Sequence, residues 1–218
     1  MDKKTSSAIT TKIIQLDRCN AFADGAFAII VTLLVLGIEI PTDHSFSEQG
    51  LLAFLQRIGF EVIIYAVSFW LAATYWIQHT AIMHHFRHGN RAVIWLNLLL
   101  LFFLTLLPFV TNLKGAFRYE FFVTLLFGGV QILIGVGLIL IWNYAFSHPH
   151  LLKRKISEDI HRQVIWRMLI SPIFISVLAV LTFLIDVHLS SLAFLSIPLY
   201  YLSFPIIDRH ETESMKNE

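Results

Sequence analysis

A few polar side chains interrupt the long apolar runs of this chain, and any chemistry it performs must reside there. Asp24 stands near the start of the first run, about residues 20–40, with Arg18 just before it and Thr32 midway along it. Trp76 and His79 close the second run, 54–80, and Asn97 lies near the start of the third, 92–113. An ionised Asp in hydrocarbon costs about 2.5–3.5 kcal/mol on insertion scales, so such a residue needs a partner or a function. The economical arrangement is one polar cluster joining the first three runs, with Arg18 and Trp76 as donors to Asp24, His79 and Asn97. Its expected role is to hold the first helix in place rather than to touch an ion.

The other side of the first run offers a different chemistry. On a helical wheel Ile29, Leu33, Leu36 and Ile40 share one narrow stripe, with Gly25 and Thr32 at its edge. Asp24, Phe27, Val31, Leu34 and Ile38 lie opposite, Asp24 being about 140° from Ile29. The Asp face is therefore expected to turn toward its own subunit. A small-and-polar edge beside an aliphatic stripe suits a helix pressed against copies of itself, and one chain cannot enclose a pore this way. Several copies around an axis would aim Ile29, Leu33 and Leu36 into an apolar throat. Such constrictions gate by dewetting and strip water from passing ions. Potassium holds its water less tightly than sodium, so the throat favours it modestly. Thr32 hydroxyls beside the throat would replace some lost hydration, unless they only bond their own helix carbonyls.

Other motifs carry less. His84 and His88 stand at i, i+4 with His85 beside them, a pair with helical zinc-ligand spacing. No acid or thiol completes the site, so a histidine-rich loop is the simpler reading, and no cofactor is expected. The spacing of Gly128, Gly129, Gly135 and Gly137 in the fourth run matches close helix packing rather than a phosphate loop. The chain lacks a paired nucleophile and base, a metalloprotease motif, a Gly-rich nucleotide signature and the Thr-Val-Gly-Tyr-Gly filter. An enzyme is not expected.

Hydrophobic residues make up 56% of the 218 residues and charged ones 14%, against about 25% charged in a soluble domain. With mean hydropathy of +0.70, the chain reads as an all-α polytopic membrane protein. About 20 apolar residues span a bilayer, and six runs suffice: 20–40, 54–80, 92–113, 119–146, 164–185 and 188–207. They form a single domain over 1–207, followed by a charged tail at 208–218. The first run is too long and too acidic at its start for a cleavable signal. The short connections at 114–118 and 186–188 make antiparallel hairpins, and 147–163 is expected to be a solvated, partly helical loop. With the N-terminus inside, thirteen of the 16 Lys and Arg residues fall on the cytoplasmic side, leaving Arg57, Lys114 and Arg118 outside. Both termini are then cytoplasmic and the protein is expected in the cell membrane. A net charge of +1 without a basic run argues against nucleic acid. The single cysteine, Cys19, excludes an internal disulfide and is expected only to fill space.

The ordered set Arg18-x-x-x-Phe22-x-Asp24-Gly25-x-Phe27-Ala28-Ile29-x-x-Thr32-Leu33-Leu34 resembles the first-helix signature of the transmembrane protein 175 family, the endolysosomal potassium channels and their six-helix prokaryotic relatives. Trp76-x-x-His79, Leu96-Asn97-Leu98 and Pro108-Phe109-x-Thr111 extend the resemblance to about residue 113. The family usually has Ser where Ala23 stands, so one hydroxyl of its polar network is absent here. The resemblance implies a homotetramer with the first helix lining the pore, and a polar network around that helix.

Three functions remain open on these residues: a potassium-permeable channel that also passes other monovalent cations, a proton-coupled carrier using Asp24, His79 and Asn97 as a relay, and a membrane sensor without transport. A carrier of the repeat type would carry two matching halves. The Phe-x-Asp-Gly signature occurs once.

Overall fold

The computed structural model describes residues 3–38, 48–117 and 119–185, together with Ala193, Phe194 and Ser196. Five long helices follow one another: α1 (Lys3–Leu34), α2 (Glu48–His84), α3 (Arg91–Ala116), α4 (Phe121–Ser147) and α5 (Glu158–Phe183). Each carries a stretch long and apolar enough to cross a membrane, the first, Leu16–Gly37, running on from α1 through a 3-10 turn at Val35–Gly37. At 1.5 Å per residue such a stretch reaches across a hydrocarbon core about 30 Å thick. The expected sixth span, 188–207, and the tail 208–218 lie almost wholly outside the described residues, as does the turn at 186–188. Phe194, one of the described residues there, packs edge-on against Phe127 of α4 with ring centroids 4.8 Å apart.

α3 is the central helix, packed against α1, α2 and α4, while α5 lies against α4. Their shared core is aliphatic: Leu100, Leu104 and Leu107 of α3 meet Ile134, Leu138 and Ile141 of α4, all fully buried. Two glycines explain how closely these helices approach. A Cβ on Gly137 would sit 3.2 Å from Leu100 Cα, and one on Gly135 would sit 3.3 Å from the Met168 carbonyl of α5. Gly135 and Gly137 of α4 thus serve packing against neighbouring backbones, the use small residues find in membrane helices.

The helix ends follow from local chemistry. Asn90 caps α3, its side-chain oxygen accepting from the Val93 N–H at 3.0 Å, which satisfies one of the orphan donors of the first turn. Glu158 and Asp159 open α5, where the helix dipole favours negative charge. The connection between α4 and α5 is less solvated than its sequence implies. The Arg87 N–H donates to the Leu151 carbonyl at 2.7 Å and the Lys153 N–H to the His85 carbonyl at 2.9 Å. With the His88 N–H donating to the same Leu151 carbonyl at 3.2 Å, this clasp ties the connection to the end of α2 and buries Leu151 and Leu152. Lys114 also differs from expectation. It belongs to the last turn of α3, fully buried, with Nζ donating to Thr124 Oγ1 at 2.6 Å and lying 5.1 Å from the Phe183 ring centre.

Candidate functional site

Helix α1 divides sharply into two faces. Ala23, Phe27, Ile30 and Leu34 are buried against the rest of the chain, following the i, i+4, i+7, i+11 line of one helical stripe. Gly25, Ala28, Ile29, Thr32 and Leu33 point away from it, as does Leu36 in the 3-10 turn Val35–Gly37 that follows α1, with Ile29 60% and Leu36 71% exposed. These exposed aliphatics form a stripe that the described residues do not cover. The Thr32 hydroxyl donates to the Ile29 carbonyl at 2.8 Å, the local bond that hydroxyls make in membrane helices. Its oxygen lone pairs stay available on the exposed side.

Asp24 does not turn into the subunit as its wheel position implies. It is exposed, because the buried stripe centres about a quarter-turn around the helix from it. Its carboxylate reaches sideways instead, and the half-exposed Trp76 indole N–H donates to Oδ1 at 2.8 Å. Arg18 is likewise exposed and forms no ion pair among the described residues. The arginine therefore stands outside the polar cluster that the sequence assigns it to.

The remaining polar residues form a separate, deeper group. His79 Nε2 lies 2.7 Å from Asn97 Oδ1, both residues being buried. Asn97 Nδ2 donates in turn to Cys19 Sγ at 3.2 Å. With the amide N–H₂ directed at sulfur, Asn97 Oδ1 must accept, so the neutral histidine carries its proton on Nε2. The Phe27 ring packs beside His79, centroids 5.8 Å apart. The expected single cluster is thus two: Asp24 with Trp76 at the surface, and His79, Asn97 and Cys19 inside. Cys19 was missed as a partner, although its position, four residues before Ala23 and eight before Phe27, places it on the buried stripe. Further buried polar pairs were equally hidden, among them Tyr75 Oη donating to Gln131 Oε1 at 2.8 Å.

His84 and His88 are not a helical pair. α2 ends at His84, and His88 lies beyond it in the clasped turn. Among the described residues no three histidine, cysteine or acidic side chains gather to hold a metal.

The family described as endosomal/lysosomal potassium channel TMEM175 matches residues 18–108, which hold both faces of α1 and both polar groups. A potassium channel of a Chryseobacterium species is 33% identical over 102 residues, covering 47% of this chain and 50% of that protein. The endosomal/lysosomal proton channel TMEM175 of Homo sapiens is 29% identical over 149 residues, covering 66% of this chain and 29% of its own length. The chain thus spans about half the length of the first relative and under a third of the second. The crystal structure of a lysosomal potassium-selective channel TMEM175 homolog from Chamaesiphon minutus superposes with a TM-score of 0.71 at 24% identity, covering 86% of this chain and 96% of that one, a likeness of fold. The family is one of ion channels rather than enzymes. Residues 18–108 of this multi-pass, all-α membrane protein thus match the TMEM175 family, and its fold is that of the Chamaesiphon homolog.

Proposed function

We propose that the chain forms a potassium-permeable cation channel in the cell membrane, with both termini cytoplasmic and the α1 helices of four copies around the conduction path. The observation that carries this reading is the bare face of α1. A lipid-facing helix needs no small residues, but Gly25, Ala28 and Thr32 beside Ile29, Leu33 and Leu36 let backbones approach closely. Packed around an axis, the three aliphatics form the throat at which an ion sheds water, and dehydration then favours potassium over sodium. Thr32 oxygens at its edge supply partial rehydration. The inner group of His79, Asn97 and Cys19 anchors α1 from behind and does not meet the ion.

The human relative is a proton channel, which supports a second reading, in which protons pass the same throat. One experiment separates the ions. The full chain is reconstituted in liposomes, and reversal potentials are measured under a potassium gradient with and without an opposed proton gradient. A potential that follows potassium supports the first reading and one that follows protons the second. The absence of any current contradicts both.

A further inference from the structure

A cavity of about 340 Å³ opens between the middle of α1 and the end of α2. Its α1 wall presents Asp17, Asn20 and Asp24, its α2 wall His79, and its rim Arg87 and Lys153. The two rim cations are brought there by the clasp, since Arg87 and Lys153 each donate one of its backbone bonds. Two buried acceptors on residues that line this cavity have no hydrogen-bond partner, Asn20 Oδ1 and His79 Nδ1. His79 is only 2% exposed. Because its Nε2 proton is committed to Asn97, Nδ1 of the neutral ring is a lone-pair acceptor. Neither the Asp17 nor the Asp24 carboxylate forms an ion pair among the described residues.

Leaving a buried acceptor unsatisfied costs the full desolvation of that group. Two orphaned acceptors beside two carboxylates match a cation with several N–H donors. A potassium or magnesium ion prefers oxygen ligands and would leave the imidazole nitrogen idle. A primary ammonium offers three N–H groups, enough for Asn20, His79 and a carboxylate together. The rim has the opposite preference, because an arginine and a lysine side by side suit phosphate. The cavity also lies where α2 ends, at His84, and α3 begins, at Arg91, a depth that corresponds to the headgroup layer of a bilayer.

We propose that this cavity binds a phosphoethanolamine group, with its ammonium held by Asn20, His79 and Asp24 and its phosphate by Arg87 and Lys153. The group has two sources, the headgroup of phosphatidylethanolamine and the free compound. The site does not depend on which ion the protein conducts.

The test is a thermal-unfolding titration of the purified full chain in detergent. The additions are phosphatidylethanolamine, phosphatidylcholine, soluble phosphoethanolamine and inorganic phosphate. A saturable rise in Tm with phosphatidylethanolamine and none with phosphatidylcholine is expected, because a quaternary ammonium has no N–H to donate. A rise with the soluble compound alone also upholds the site and assigns its source to solution. Asn20→Ala, on the half-buried side of α1, and Lys153→Ala, on the exposed rim, should each move half-saturation about tenfold higher. An equal rise with phosphatidylcholine or with inorganic phosphate overturns the proposal. So does a flat response to all four, which leaves the acceptors to water, or an unchanged titration in Asn20→Ala.

Discussion

His79 and Asn97, on adjacent helices and 18 residues apart in sequence, meet at 2.7 Å with almost no exposure to solvent. Behind them Cys19 closes a chain of bonds that runs from α1 through α3 to α2. A bond in such a setting matters mainly through what its loss leaves behind, because the surviving partner is buried without a donor or acceptor. Asn97→Leu should therefore lower stability by about 1–3 kcal/mol, read as a lower Tm in detergent. The preference among ions should stay as in the parent. A variant of normal Tm but altered permeability ratio would move this group from anchor to pore.

The Asp24–Trp76 contact predicts a milder outcome. Asp24→Asn keeps the Oδ1 acceptor that the indole uses, at a site open to the surroundings. Oligomer yield on size-exclusion chromatography should match the parent. A collapse of yield in this variant would mean that the negative charge itself holds the assembly, through a partner outside the single chain.

Much of this arrangement was legible in the sequence, and the exceptions share a cause. The spans of α1 to α5 followed from apolar length, and the stripe of Ile29, Leu33 and Leu36 from the helical period. Period alone, however, does not say where the buried arc is centred. Asp24 lies opposite Ile29 on the wheel, yet Ala23, Phe27, Ile30 and Leu34 pull the buried arc away from it. Long-range pairing was equally out of reach. Nothing local in Cys19 announces that Asn97, 78 positions later, donates to its sulfur. Lys114 looked like a loop cation because it follows an apolar run, whereas its helix continues to Ala116 and carries it under Phe183. His84 and His88 failed as a pair because α2 stops between them.

The glycines of α4 make a paired prediction. Gly137→Ala inserts a methyl 3.2 Å from Leu100 Cα, backbone that cannot step aside without parting α3 from α4. It should cost about 1–3 kcal/mol. Gly129 has nothing within 4 Å of the corresponding position, so Gly129→Ala should be neutral or stabilise by up to about 1 kcal/mol through helix propensity. Melting curves of the two variants check this, and equal losses would contradict the close α3–α4 approach.

Thr32→Val tests the edge of the throat. The change is nearly isosteric and removes only the hydroxyl that now donates to the Ile29 carbonyl. If the threonine oxygen helps rehydrate potassium, the potassium-to-sodium permeability ratio should fall while stability stays within about 0.5 kcal/mol of the parent. An unchanged ratio would reduce Thr32 to a helix-local bond.

The central claim, that copies of α1 enclose the conduction path at Ile29, is tested most directly by single-channel conductance of Ile29→Asn in planar bilayers. Ile29 is 60% exposed on the single chain, so a polar replacement there does not disturb the subunit core. The predicted result is a conductance above the parent with weaker discrimination between potassium and sodium, because an amide at the narrowest ring replaces water that isoleucine strips away. Conductance and selectivity equal to the parent would contradict the account and place the throat elsewhere.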